Sequence, residues 1–306
     1  MDRLSFHDQI SRNKWKSFFL IFIIFLVFLG FGAVIGLAIG PDFFMIIMIV
    51  TIIISITYLI GGYYNSHKIA LASVKAKPAK QSEYSQYHNI VEGLCLASGM
   101  PKPKLYVMED SNINAFASGR NPENSVICVT TGTLEKLDKH ELEGVLAHEL
   151  SHIANYDIRF MTLTAVLVGM IAIIAQIFLR SLWWNSMAGG RDRDNKLQII
   201  FILIGIILAI LAPIAVTLIQ LAISRKREYS ADASAVKFIR SPTGLIKAFK
   251  KIQAEHPSTS ETKKEKQKIN KAVAPLFISD PFKQKANSFF ATHPPISKRI
   301  SILERM

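Results

Sequence analysis

Long stretches without charged side chains alternate with polar stretches along this sequence. Four runs contain no Asp, Glu, Lys or Arg, namely residues 17–41, 43–66, 160–179 and 197–224. A helix that rises about 1.5 Å per residue needs about 20 residues to cross a hydrocarbon core of about 30 Å, and each run is long enough. The pattern predicts membrane-spanning helices and argues against a water-soluble globular protein.

The four runs fall into two pairs. Only a Pro-Asp pair separates the first two runs, so helices at about 17–40 and 43–64 are predicted to form a tight hairpin. The second pair, at about 158–182 and 197–224, predicts another hairpin, although the basic residues between its runs also allow it to dip into the bilayer without crossing. A cleavable signal peptide is disfavoured, because the first apolar run is too long and a second span follows immediately.

A polar stretch at 67–157 separates the two hairpins and predicts a small α+β part. Residues rich in β-branched and aromatic side chains predict strands at 104–109 and 125–131, and the apolar stretch 114–119 between them predicts an edge strand or a turn. From Asp138 a helical pattern continues directly into the third apolar run. We therefore expect one unbroken helix that leaves the polar part and enters the membrane.

The sequence thus divides into four predicted parts. They are an N-terminal tail with the first hairpin at 1–66, the α+β part at 67–157, the second hairpin at 158–224 and a C-terminal part at 225–306. The C-terminal part has helical patterns on both sides of a polar tract of mixed charge, which predicts a linker.

The chain carries 36 Lys and Arg against 23 Asp and Glu, a formal net charge of +13. A basic balance is also typical of nucleic-acid binding, but here the basic residues flank the apolar runs, as they do on the cytoplasmic side of membrane proteins. The flanking residues are Arg3, Arg12, Lys14, Lys16, Lys68, Lys75, Lys77, Lys80, Arg225, Lys226 and Arg227. We therefore expect both termini in the cytoplasm and no nucleic-acid partner. Because cytoplasmic thiols stay reduced, Cys95 and Cys128 are interpreted as packing residues.

The strongest chemical signal is the motif His-Glu-Leu-Ser-His at 148–152. On a helix, His148 and His152 share one face, and Glu149 lies beside them. A hydrolytic zinc needs ligands that leave one coordination position open for water, and a base that takes the proton of that water. The motif supplies both, whereas the alternative is a set of ordinary residues on a helix surface.

A catalytic zinc needs a third protein ligand, and helix geometry nominates Glu228. If the third and fourth apolar runs form an antiparallel pair that turns at Gly189 and Gly190, Glu228 lies at the depth of the two histidines. Asp232 follows one turn later on the same face, where a carboxylate can accept a hydrogen bond from a ligating imidazole. The alternative for both acids is a helix-surface pair with a neighbouring arginine.

Three motifs in this order resemble the HtpX family, the membrane-integral zinc endopeptidases of prokaryotes. They are HELSH at 148–152, REYSAD at 227–232 and THPP at 292–295, and the resemblance covers nearly the whole chain. It implies a mainly α, membrane-integral fold with two transmembrane helical hairpins and a small cytoplasmic α+β protease domain of the zincin type.

The resemblance also implies a role for each residue that matches the family pattern. One Zn2+ per subunit is expected to be bound by His148, His152 and Glu228, with Glu149 as the general base and Asp232 as the carboxylate behind the ligands. The stretch Asn114, Ala115, Phe116 and Ala117 is expected to form the edge strand along which an extended substrate lies. His293 is expected to stabilise the oxyanion that forms during peptide hydrolysis.

The implied activity is hydrolysis of internal peptide bonds in misfolded or damaged membrane proteins at the cytoplasmic face of the plasma membrane, as part of quality control and the stress response. An intramembrane zinc protease is an alternative, although the charged residues before the motif favour the interface. A prenyl-protein endopeptidase is expected to have more spans. A non-peptidase scaffold or metal-binding protein has no need of a base such as Glu149 beside an open zinc position.

Overall fold

The computed structural model describes residues 6–39, 41–164, 204–207, 225–255, 277–278 and 294–306. Within these residues the protein is mostly helical with one small mixed sheet. Most of the predicted second hairpin, the polar tract and His293 lie outside the described residues.

Two long helices form the N-terminal part. They are α1 (Phe6–Ile39) and α2 (Pro41–Ser73), which pack against each other and extend beyond the uncharged runs. A proline suits the first position of α2, because that residue needs no N–H donor within the helix. Among the described residues, α2 is the one helix long and apolar enough to cross a membrane, and α1 contains a shorter apolar stretch at Ser17–Ala33.

The sheet has four strands. They are β1 (Lys77–Pro78), β2 (Lys104–Met108), β3 (Ala115–Gly119) and β4 (Ser125–Thr130), in the order β1-β2-β4-β3. Strand β2 runs parallel to β4, whereas β1 and β3 pair antiparallel with β2 and β4 respectively. The predicted strands correspond to β2 and β4, and the apolar stretch between them forms the edge strand β3.

The described part of the chain also contains several shorter helices. They are α3 (Ser85–Ser98), α4 (Thr131–Lys136), α5 (Lys139–Ala154), α6 (Arg225–Ile239), α7 (Thr243–Glu255) and α8 (Ile296–Leu303). Local signals define their ends: α3 stops at Gly99, which adopts a left-handed φ of 71°, and α5 starts at a capping box in which Asp138 and Glu141 bond each other's backbone N–H groups.

The motif helix α5 lies at the centre of the fold. One face of the sheet, with Ala115 and Ile127, packs against α5 in the main hydrophobic core, and the other face, with Phe116 and Cys128, packs against the end of α2. Helix α7 crosses α5 so closely that a Cβ at Gly144 would lie 2.5 Å from the backbone nitrogen of Leu245. The motif is therefore buried between the sheet and the C-terminal helices.

The expectation of one unbroken helix from Asp138 into the third apolar run is wrong. Helix α5 ends at Ala154, Tyr156 adopts a left-handed φ of 58°, and helical structure resumes at 157–164. The periodicity of apolar residues continues through this break, so the pattern alone does not reveal it.

Candidate metal centre

Three buried side chains converge at the centre of the fold. His148 and His152 lie one turn apart on α5, with their Nε2 atoms 3.2 Å apart. Glu228, in the first turn of α6, completes the group: its Oε2 lies 3.6 Å from His148 Nε2 and its Oε1 lies 3.7 Å from His152 Nε2. The structure thus brings the three predicted ligands together, although Glu228 is far from the histidines in sequence.

The spacing of these donor atoms fits a divalent metal. Four ligands in a tetrahedron with bonds of about 2.0–2.1 Å lie about 3.3 Å from each other, close to the distances found here. Two imidazoles and one carboxylate are also the donor set of catalytic zinc sites, which leave one position open. Among the described residues, this is the group of His, Cys, Asp and Glu side chains arranged to hold a metal ion.

Glu149 lies beside this group and is 1% exposed. Burial raises the pKa of its carboxyl group, and the neighbouring charge of Glu228 raises it further, whereas His148, His152 and the backbone N–H of Ala117 oppose the shift. Its Oε2 atom has no hydrogen-bond partner among the described residues. The carboxylate thus has a free acceptor and a raised affinity for a proton, as a general base requires.

Asp232 and Arg299 lie behind His148. The Nδ1 atom of His148 is 3.0 Å from Asp232 Oδ1, which is the contact predicted for this aspartate. Arg299, from α8, donates through Nε and Nη2 to the two Asp232 oxygens at 2.9 and 2.6 Å, and its Nη1 lies 3.2 Å from Glu228 Oε2. A cation from the C-terminal helix therefore compensates two buried carboxylates at once.

The pKa values of His148 and Asp232 follow from this arrangement. Burial and the charge of Arg299 lower the pKa of His148, but hydrogen bonds to Asp232 and Glu228 outweigh them and raise it to about 9 in the metal-free protein. Burial raises the pKa of Asp232, but Arg299 and His148 outweigh burial and lower it below the usual range. Asp232 is therefore ionised and acts as the acceptor for the His148 ring.

Sequence reasoning missed two further residues of the centre, Arg299 and Asp157, and gave Arg227 no role in it. Arg299 was not considered, because it lies 151 residues from His148 and no local spacing connects them. Asp157 lies 3.1 Å from His152 Nδ1 and 2.8 Å from Arg227 Nε, and it was missed because the expected continuous helix directs it elsewhere. What identifies these residues is that each carries a charge and is buried in the fold. Burial is known only from the structure, so the sequence alone does not single them out.

The predicted substrate stretch lies at the outer strand of the sheet, β3. The backbone N–H of Asn114 donates to the hydroxyl groups of Thr130 and Thr133, and the side-chain Oδ1 of Asn114 accepts a hydrogen bond from the backbone N–H of Ala115. The carbonyl of Ala115 accepts a hydrogen bond of 2.9 Å from the Ile278 N–H. This edge therefore pairs with a short segment of the chain itself.

That short segment consists of Phe277 and Ile278. Phe277 forms an antiparallel bridge with Phe116, and the two rings stack edge to face with centroids 5.2 Å apart. Further along the same strand, Ala117 is the residue whose N–H approaches Glu149. The edge of β3 thus has one part paired with an antiparallel segment and one part beside the buried carboxylate.

Helix α5, the edge strand and the His-His-Glu group with its adjacent carboxylate define a metallopeptidase. The chain belongs to peptidase family M48, whose model matches residues 81–306. Among similar proteins is a protease HtpX homolog of Caldanaerobacter subterraneus subsp. tengcongensis, which is 47% identical over 248 residues, 80% of each chain. A protease HtpX homolog of Listeria monocytogenes is 40% identical over 309 residues, with 98% of this chain and 99% of that protein covered.

The fold described above is also similar to that of a solved structure. The crystal structure of S. mikatae Ste24p matches with a TM-score of 0.50 and 20% sequence identity. The match covers 96% of this chain but 66% of the longer Ste24p chain. Together with the apolar helix α2, the family identifies a membrane metallopeptidase that uses a divalent metal.

Proposed function

We propose that this protein is a zinc-dependent endopeptidase that hydrolyses peptide bonds in extended segments of membrane proteins. The observation that carries the proposal is the position of Glu149: its unpaired carboxylate oxygen lies buried beside three donor atoms spaced as a tetrahedral metal requires. A storage or transport site has no use for such a base.

In this proposal His148, His152 and Glu228 hold one zinc ion per subunit. A bound zinc ion supplies Lewis acidity, which polarises the scissile carbonyl and lowers the pKa of the attacking water. Asp232 accepts the Nδ1 proton of His148 and so keeps the Nε2 lone pair directed into the site. His293, on the basis of the family resemblance, is proposed to stabilise the oxyanion.

Glu149 carries the proton through the reaction. Its free oxygen accepts the proton of the attacking water, and the raised pKa of its carboxyl group favours that transfer. The carboxylic acid then gives the same proton to the leaving amine, which restores the carboxylate for the next turnover. Burial protects this proton from exchange with bulk water during the step.

The substrate is proposed to bind as an extended strand along β3, through Asn114, Ala115, Phe116 and Ala117. The pairing of Phe277 and Ile278 with this edge supports the idea, because the edge there is paired with an antiparallel chain. A substrate strand at Ala115 and Phe116 therefore has to displace this segment. Main-chain hydrogen bonds recognise the extended conformation rather than a particular sequence. Unfolded segments of damaged membrane proteins supply such strands, which is consistent with a role in quality control under stress.

The site is proposed to face the cytoplasm near the plasma membrane surface, with both termini on the same side. Basic residues at both ends of the first apolar pair support this orientation. An intramembrane site is the second candidate, but among the described residues the sheet and the C-terminal helices pack around the motif helix, and α1 and α2 do not. The packing therefore favours a position outside the hydrocarbon core.

Purified protein in detergent, prepared in the presence of a chelator, provides the decisive test. We expect cleavage of an unfolded membrane-protein substrate on addition of zinc, and a loss of about 10²–10⁴-fold in kcat/KM in Glu149→Gln. Glu143→Gln is the matched control, because Glu143 lies on the same helix with its side chain 38% exposed. Full activity of Glu149→Gln, or activity that persists without metal, contradicts the proposal.

The orientation has its own test in membrane vesicles. A chelator that does not cross membranes should stop proteolysis at once in inside-out vesicles and leave it intact in right-side-out vesicles. Protection of the activity in both kinds of vesicle favours an intramembrane site instead.

A further inference from the structure

The turn after α5 changes the direction of one acidic side chain. On a continuous helix, Asp157 points about 140° away from His152 around the axis, since each residue turns the helix by about 100°. The left-handed Tyr156 breaks the helix just before Asp157. A non-glycine residue in this conformation costs about 1–2 kcal/mol, and strain of this kind persists where surrounding structure requires it.

The break brings Asp157 back onto the metal centre. Its Oδ2 lies 3.1 Å from His152 Nδ1, the ring nitrogen that points away from Glu228. Its Oδ1 lies 2.8 Å from Arg227 Nε. Asp157 itself is 0% exposed, and Arg227 is 6% exposed with its guanidinium above the Phe160 ring at 5.4 Å.

The two oxygens of Asp157 therefore connect the two helices that supply the metal donors. One oxygen holds the ring of His152 on α5, and the other holds Arg227, the residue immediately before Glu228 on α6. The arrangement mirrors the one at His148, where Asp232 contacts Nδ1 and Arg299 neutralises the aspartate. A buried carboxylate needs such a cation, because desolvation of an unpaired charge is costly.

We propose that Asp157 and Arg227 are positioning residues for the second histidine ligand. Asp157 accepts the Nδ1 proton of His152, fixes the tautomer whose Nε2 lone pair binds the metal, and holds the ring at its distance from Glu228. Arg227 Nε lies 2.8 Å from the second oxygen of the aspartate and ties it to α6. The inference rests on the proposed metal-dependent activity, but it concerns metal affinity and ligand geometry rather than turnover.

The competing explanation is that the pair only joins two helices. Three variants separate the two explanations: Asp157→Asn, Arg227→Gln and the double variant. The double variant removes both charges together, so a purely structural pair recovers much of its lost stability. It still leaves His152 without a carboxylate at Nδ1, so a positioning role does not recover.

The measurements are the zinc dissociation constant by chelator competition, the visible spectrum of the cobalt-substituted protein and the thermal unfolding midpoint of the metal-free protein. We expect Asp157→Asn and the double variant both to weaken zinc binding about 10–100-fold and to shift the cobalt bands. Arg227→Gln should weaken binding less, because an amide N–H still reaches Asp157. Glu143→Gln, which removes a charge from α5 outside the centre, should match the wild type.

Wild-type zinc affinity and an unchanged cobalt spectrum in folded Asp157→Asn, or in the folded double variant, overturn the inference. The proposed function fails in a different way. If wild-type protein binds zinc but cleaves no substrate, the function is wrong while the affinity comparison still decides the role of Asp157.

Discussion

The α1–α2 pair and the metal centre distribute polarity in opposite ways. Large apolar side chains of α2 face outward, with Ile49 54% exposed and Ile53 58% exposed. In the metal centre, the charged side chains are inside, and Glu228 and Arg299 are no more than 1% exposed. One protein therefore exposes what soluble proteins bury and buries what they expose.

The difference follows from the surroundings of the side chains, which are lipid around α2 and paired polar groups in the metal centre. Lipid is as apolar as the side chains, so contact between membrane helices depends on close approach of small residues, and α2 buries Ser55, Gly62, Ser66 and Ala70. In the metal centre, charges are tolerated because each is paired with an opposite charge or a hydrogen-bonding group. Partners, rather than polarity itself, determine which side chains can be buried.

The largest expected effect on stability comes from removing the buried cation of the metal centre, Arg299. Arg299→Met retains apolar packing on Phe249, which the guanidinium contacts at 4.2 Å, but removes the cation shared by Asp232 and Glu228. We expect the metal-free protein to lose about 3–5 kcal/mol of unfolding free energy, because two buried carboxylates lose their compensation. Urea unfolding in detergent, followed by circular dichroism, measures the loss.

A double variant provides the control for that loss. Arg299→Met combined with Asp232→Leu replaces a buried ion pair by apolar side chains, which is often neutral for stability. We expect the double variant to recover at least half of the loss of the single one. Equal stability of Arg299→Met and wild type contradicts the idea that buried charges here depend on partners.

The next effect tests the outward apolar surface of α2. Ile49→Lys introduces a charge on the lipid-facing side of the helix, and we expect it to raise the apparent free energy of membrane insertion by about 2.5–3.5 kcal/mol. Leu96→Lys is the matched control, because Leu96 is 81% exposed on α3 outside the candidate span. The ratio of inserted to non-inserted chains measures both, and equal ratios mean that Ile49 does not face lipid.

A smaller effect compares close helix contacts in the two regions. A Cβ at Gly144 would lie 2.5 Å from the backbone of Leu245, whereas one at Gly32 would lie 2.5 Å from the side chain of Thr51. Backbone cannot move aside as a side chain can, so we expect Gly144→Ala to cost about 1–3 kcal/mol and Gly32→Ala to cost less. Thermal unfolding in detergent measures both.

Gly93→Ala is the control for these two substitutions. A Cβ at Gly93 meets no atom within 4 Å, so replacement within α3 should stabilise the protein by about 0.5–1 kcal/mol through helix propensity. If Gly144→Ala behaves like Gly93→Ala, the close crossing of α5 and α7 does not contribute as inferred.

Sequence periodicity could predict the site residues that are related by helix spacing. His148 and His152 share a helix face by their spacing alone, and Glu228 was nominated on the assumption that the third and fourth apolar runs form an antiparallel pair. Arg299 was not predictable in this way, because α8 reaches the centre only through tertiary packing. Asp157 was hidden by the left-handed Tyr156, since apolar periodicity contains no information about a single φ angle.

The smallest expected effect concerns an ion pair with the same geometry as a buried one. Lys77 Nζ lies 2.6 Å from Glu109 Oε1, and Arg299 Nη2 lies 2.6 Å from Asp232 Oδ1. The Lys77 and Glu109 side chains are 75% and 79% exposed, so water competes for both charges and salt screens them. We expect Glu109→Gln to leave the unfolding midpoint unchanged within error at low and high salt. A clear loss of stability, comparable to that of Arg299→Met, means that distance rather than burial determines how much an ion pair contributes to the stability of this protein.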